Sequence, residues 1–128
     1  DYAHHPTEIE ATMKSVELYD NLTNFNNRIV LWQPHKYSRT SDNLEGFKKC
    51  FRRCDELIIL PLWTVAGEKK IDIDFEKEFA SYNPIFADRV VSYKGKIELI
   101  KDDKIIKTYD EGIFLGVGAG DITYQLRY

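Results

Sequence analysis

Apolar positions along the chain change their period several times, and each change marks an element. Ile9, Met13 and Val16 recur at helical spacing, which predicts an amphipathic helix from Thr7 to about Leu22. Thr7-x-x-Glu10 has the form of a capping box, so the Thr7 hydroxyl is expected to start that helix with Glu10 reaching back. NFNN (24–27) reads as a turn, and RIVLW (28–32) is a short apolar run bounded by Asn and Pro, the pattern of a buried strand. A second helix is expected over SDNLEGFKKCFRRC (41–54), with Leu44, Phe47, Cys50, Phe51 and Cys54 on one stripe. ELIILPLW (56–63) opens as a second buried strand that Pro61 ends. DFEKEFASY is a short helical candidate, and RVVSY (89–93) is a third strand. In KGKIELIKDDKIIKTYDEG the alternation at Ile97 and Leu99 and the Asp102–Asp103 punctuation favour a β-hairpin, with a short helix and a turn as the other possibility. IFLGVGAGD closes the series with a strand (113–117), a Gly-rich turn and the start of a last helix.

Strands alternating with helices, the strands apolar throughout, define the fold class. It is α/β, a Rossmann-like layered domain with a mainly parallel sheet flanked by helices and a possible antiparallel hairpin near 96–109. At 128 residues the chain is expected to be a single domain, 1–128, without repeats or linkers. With 30% charged residues and a net charge of -3, it lacks the basic balance of a nucleic-acid binder. The longest apolar run, LIILPLW, is too short to span a bilayer, so no membrane partner is expected. Cys50 and Cys54 share a helical face beside Phe47 and Phe51 and read as small buried side chains. A zinc site would want more cysteines, and reduced thiols suit a cytoplasmic protein.

In an open α/β sheet, ligands gather where strand carboxyl ends lead into helices. QPHKYSRT, LWTVAGEKK and GVGAGD occupy such positions, and DYAHHPTE, which runs into a helix, is expected to follow a strand that precedes it. QPHKYSRT is the richest chemically. His35, Lys36 and Arg39 place up to three cationic donors beside the hydroxyls of Tyr37, Ser38 and Thr40, which suits a carboxylate or phosphate held by Arg39 in a two-pronged contact. An ordinary solvated basic loop would have the same composition. GVGAGD lacks the full G-x-G-x-x-G pattern, and its glycines serve turn geometry equally well. Asp1, His4, His5 and His35 could in principle ligate zinc, but there is no helical H-x-x-x-H and no metal site is expected. No G-x-x-x-x-G-K-[ST] loop occurs, so nucleotide chemistry needs a phosphate-binding part from elsewhere.

DYAHHPTEIEATMK, WQPHKYSRT, VAGE and GAGD, in this order, resemble the C-terminal domain of the Mur ligases, which build the peptidoglycan stem peptide. HHPTE together with QPHxYSRT points to the alanine-adding members, the UDP-N-acetylmuramate–L-alanine ligases. The resemblance implies a three-domain cytoplasmic enzyme whose N-terminal UDP-binding domain and central ATPase domain lie outside this chain. It implies ATP and Mg2+ bound mainly by that central domain, and UDP-N-acetylmuramate and L-alanine as substrates. The amide would form through an acyl phosphate. By motif, His4 would be catalytic, facing the reacting phosphate. Asp1 and Tyr2 would bind the nucleotide, and His35, Lys36, Tyr37 and Arg39 would bind the alanine or lactyl carboxylate. Lys36 stands where the family usually has Arg, LWTVAGE replaces a YPAGE-like loop, and 94–111 is more strand-like than the family suggests. Alone, such a fragment is expected to be inactive. A related muramyl-peptide ligase of cell-wall recycling, or a free-standing α/β ligand-binding domain, are the alternatives.

Overall fold

The computed structural model describes residues 5–23, 27–64, 66–110 and 112–118, without the side chains of 19–23 and 113. The expected turn over 24–26 and the helix after the last strand lie outside them. Helix α1 spans Pro6–Thr23, α2 Tyr37–Asp42, α3 Leu44–Cys50 and α4 Phe75–Glu78, with a 3-10 turn at Ala80–Tyr82. Strands are β1 Arg28–Gln33, β2 Glu56–Ile59, β3 Ile85–Phe86, β4 Arg89–Tyr93, β5 Lys96–Lys101, β6 Lys104–Tyr109 and β7 Ile113–Gly118. A parallel sheet has the order β3-β2-β1-β7, and an antiparallel sheet the order β4-β5-β6.

Side-chain alternation along β1 builds both faces of the parallel sheet. Val30 and Trp32 point into a cluster with Ile9 and Met13 of α1, Phe47 and Cys50 of α3, and Phe51 and Phe79. Trp32 lies between Phe47, Phe51 and Phe79 at centroid separations of 5.0, 5.0 and 5.1 Å. Ile29 and Leu31 point the other way, with Ile58 and Leu60, onto Val90, Ile97, Leu99 and Tyr109 of the antiparallel sheet. The domain thus has three layers: helices, parallel sheet, antiparallel sheet. That explains why the central strands read as unbroken apolar runs.

Several local expectations are corrected. RVVSY is a strand but belongs to the antiparallel sheet, and the parallel neighbour of β2 is the two-residue β3. Only Val90 of β4 is fully buried, as suits a strand covered on one face. The hairpin at 96–109 forms, turning on Asp102 and Asp103 at φ 52° and 60°, the positive values of a two-residue hairpin loop. The helix expected over 41–54 is two helices. Asn43 breaks it, its backbone N–H and side-chain amide both donating to the Arg39 carbonyl at 3.2 and 2.9 Å. Consequently Tyr37, Ser38, Arg39 and Thr40 are helical rather than loop residues, and Cys54 falls beyond the end of α3.

The start of α1 also differs from the capping-box expectation. The His5 carbonyl accepts the first helical bond, from Ile9 N–H at 3.1 Å, which makes His5 the cap and Pro6 the first helical residue, a favoured place for proline. His5 Nδ1 accepts from the Thr7 N–H at 3.2 Å, in place of the Thr7 hydroxyl. Glu10 is drawn away to Arg52 and Arg53. α1 and α3 approach closely because Gly46 carries no side chain. A Cβ there would lie 2.9 Å from Pro6 Cγ.

At the opposite rim, Glu56 ties the two sheets. Its carboxylate accepts from Lys107 Nζ at 2.7 Å, Tyr109 OH at 2.9 Å and Asn27 Nδ2 at 3.2 Å. Partial burial acts to raise the Glu56 carboxyl, but these donors outweigh it and hold it below the usual carboxylate range. Because the unfolded chain titrates at the ordinary value, about 4.3, this stabilisation is complete above that pH and is lost as pH falls through the lower folded value. Glu56→Gln should therefore flatten the acid limb of stability below about pH 5. Urea titrations across that range test it, and parallel curves for variant and parent would refute the tether.

Candidate functional site

Gln33 ends β1, and the chain beyond it turns sharply at the carboxyl rim of the sheet. Lys36 has φ 65° and ψ 136°, a conformation that non-glycine residues rarely adopt, of order 1–3 kcal/mol above a relaxed backbone. Such strain persists only where the surroundings over-determine it. Here Lys36 N–H donates to the Trp63 carbonyl at 2.9 Å, and Trp63 N–H donates to the Pro34 carbonyl at 2.7 Å. His35 and Trp63 thereby form a parallel bridge that carries the β1–β2 pairing past the strand ends. On the other side, Thr40, fully buried, donates to the Lys36 carbonyl through its N–H at 3.2 Å and its hydroxyl at 2.9 Å. Gln33 Nε2 donates to the Pro61 carbonyl at 3.1 Å, fastening the chain after β2 once more.

The structure brings His35, Lys36, Tyr37 and Arg39 together on this turn and the first turn of α2. Arg39 Nη1 lies 3.2 Å from His35 Nδ1. Guanidinium only donates, so Nδ1 is the acceptor and His35 is neutral in this arrangement. The pair therefore carries one positive charge, that of Arg39, and the full set of three cations expected from composition is reduced to two with Lys36. Its remaining guanidinium N–H groups suit a carboxylate or phosphate oxygen.

His4, Asp1 and Tyr2 lie outside the described residues. Their neighbour His5 is described, and with Pro6 and Thr7 it borders a hollow completed by Ser41 and Asp42 of α2 and Asn43. The short helix that carries Arg39 thus also flanks the start of α1. Of the GAGD motif (118–121) only Gly118 is described, and it has a clear reason. At φ 110° a Cβ there would sit 2.0 Å from the Gln33 carbonyl oxygen, so glycine lets β7 press on the end of β1. Among the described residues no group of three or more His, Cys, Asp and Glu is placed to hold a metal ion. No described helix is long and apolar enough to cross a membrane.

A residue not assigned to the site from sequence holds the turn. It is Glu68: Oε1 accepts from the Ser38 N–H at 3.1 Å and faces the Ser38 hydroxyl at 3.5 Å. Its sequence signal is its place at the end of VAGE (65–68), a carboxylate in a rim loop opposite a run of bases. Cys50 and Cys54 take no part. Both are free thiols packed in or against the helix-side core, and burial pushes Cys50 well up and Cys54 to about 11.

The geometry defines a class: a layered α/β domain whose parallel sheet carries a basic turn at its carboxyl rim, where ligands of such sheets gather. No family model matches the chain. Curated relatives match nearly its whole length nonetheless. The UDP-N-acetylmuramate–L-alanine ligase of Helicobacter pylori is 56% identical over 129 residues, covering 99% of this chain and 28% of that protein. The enzyme of the same name from Campylobacter curvus is 49% identical over 127 residues, covering 99% and 29%. In fold, the crystal structure of a UDP-N-acetylmuramate–alanine ligase from Thermotoga maritima matches with a TM-score of 0.54 at 22% identity, over 98% of this chain and 24% of the other. Along nearly its whole length the chain is similar to UDP-N-acetylmuramate–L-alanine ligases, and it spans under a third of the length of the curated relatives it matches.

Thiolate is the reactive form of cysteine, and both thiols are held protonated at neutral pH. Iodoacetamide at pH 7 should thus label native protein at least about tenfold more slowly than urea-unfolded protein. Mass spectrometry of the two time courses checks this, and fast native labelling at Cys54 would show an open thiol.

Proposed function

We propose that residues 1–128 form the C-terminal, amino-acid-handling domain of a cytoplasmic, ATP-dependent ligase that joins L-alanine to UDP-N-acetylmuramate. The observation that carries this reading is the Arg39–His35 pair beside Lys36, an anion-gripping turn in a chain 56% identical to an enzyme of that name. The N-terminal UDP-binding and central ATPase domains belong to the rest of the parent protein, and ATP with Mg2+ is held mainly there.

The chemistry explains what such a turn is for. A carboxylate is a poor electrophile, so the lactyl carboxylate of UDP-N-acetylmuramate is first phosphorylated, with ADP leaving. The amine of L-alanine then attacks the acyl carbon, the C–O bond to phosphate breaks, and the amine proton departs with formation of the amide. Nothing in this sequence requires covalent work from the C-terminal domain. Its task is to hold a small zwitterion, or the lactyl acid, in line with the acyl phosphate, where positioning supplies much of the rate. Arg39 grips a carboxylate, His35 fixes the guanidinium plane, and Lys36 adds a point charge without a planar fork. Tyr37 borders the same ligand. His4 would face the reacting phosphate, with Asp1 and Tyr2 on the nucleotide.

In the full-length protein, Arg39→Ala should lower kcat/KM for L-alanine or UDP-N-acetylmuramate at least tenfold, about 1.4 kcal/mol of transition-state binding. Phosphate release with ATP, UDP-N-acetylmuramate and L-alanine measures it. Unchanged kinetics would remove Arg39 from the site, and turnover with a muramyl-peptide ligand in place of alanine would overturn the proposed substrate.

A further inference from the structure

We propose that Glu68 is a positioning residue for the ligand-binding turn: it caps α2 from a distant loop and so holds Arg39 in place. The proposal rests on the functional reading above for what the turn binds, but its structural part stands on contacts alone. A helix leaves its first N–H groups without intrahelical partners, and the residue at the cap usually accepts from the second or third of them. The cap of α2 is Lys36, whose side chain makes no capping hydrogen bond and has no acceptor to offer. The N–H that a capping Ser or Asp would serve is that of Ser38, two residues on. Glu68 accepts from it instead, thirty residues along the chain.

The other bonds at the turn leave this task undone. Trp63 and Pro34 hold the backbone before α2, and Thr40 ties the end of its first turn back to Lys36. Between them, Ser38 is secured by Glu68, through both its N–H and its hydroxyl. Arg39 is the next residue, and its contact with His35 spans that same turn, four residues apart. Fraying at Ser38 would therefore release the guanidinium. A carboxylate also suits the positive end of a helix, although α2 has only six residues. Among the described residues the second carboxylate oxygen, Oε2, has no hydrogen-bond partner, so none of them competes with Ser38 for Glu68.

The test uses the full-length protein with Glu68→Ala, Glu68→Gln, Arg39→Ala and the double variant. Glutamine keeps an acceptor for the Ser38 N–H, so Glu68→Gln should remain within about threefold of the parent, while Glu68→Ala raises KM for L-alanine about tenfold with kcat within about threefold. If Glu68 acts through Arg39, adding Glu68→Ala to Arg39→Ala should change KM less than about twofold. Amide exchange over residues 37–40 should quicken in Glu68→Ala and not in Glu68→Gln. Independent multiplication of the two KM effects would overturn the proposal, as would unaltered exchange in Glu68→Ala. Loss of the fold in Glu68→Ala would overturn it too, because a cap on a rim helix should be dispensable for folding. A parent protein that releases no phosphate in response to alanine would refute the functional reading instead, and the exchange experiment would still decide whether Glu68 holds α2.

Discussion

The structure depends on β1 being enclosed on all four sides. It pairs with β2 on one edge and β7 on the other, and its alternate side chains enter two separate cores. Burying a large apolar side chain contributes roughly 1.5–3 kcal/mol, and Ile29, Val30, Leu31 and Trp32, four consecutive residues, are all buried to within 1% of exposure. Because both faces are covered, the helices and the antiparallel sheet are each fixed to the same short segment. The position at which β1 ends is then fixed as well, and the basic turn begins there.

The turn inherits its geometry from that fixed point. Parallel pairing continues past the end of β1 through His35 and Trp63, so the loop after β2 travels with the loop after β1. Basic residues come from the first loop, and the groups that brace them come from the second. Neither loop would hold a ligand alone. Cooperation between successive loops at a carboxyl rim is the general way in which open α/β sheets make sites from connections that are individually mobile.

Much of this was legible in the residue order, and the exceptions share a cause. RIVLW and ELII are continuous apolar runs with no competing pattern, and the alternation at Ile97 and Leu99 with Asp102–Asp103 announces a hairpin. β3 was invisible because two residues, Ile85 and Phe86, carry no period and pair only because β2 offers an edge. RVVSY was visible as a strand, but which sheet would take it depends on distant partners. The Thr7–Glu10 pattern is a local signal, yet the capping box does not form, because Arg52 and Arg53 take Glu10 from some forty residues away. In the site, His35 and Arg39 are one helical turn apart and could be paired from sequence. The reach from Glu68 to Ser38 has no local trace, and that Tyr37 begins a helix follows only from the unusual backbone of Lys36.

Lys36 shows where the demands of the fold and of the ligand diverge. Glycine would adopt its positive φ without steric penalty, and would relax the bend between sheet and helix. It would also erase a positive charge at the rim and loosen the unfolded chain. Selection for stability alone and selection for capture of an acid would therefore favour different residues at this one position. A lysine here keeps the rim charged at the cost of a bend that glycine would make without strain.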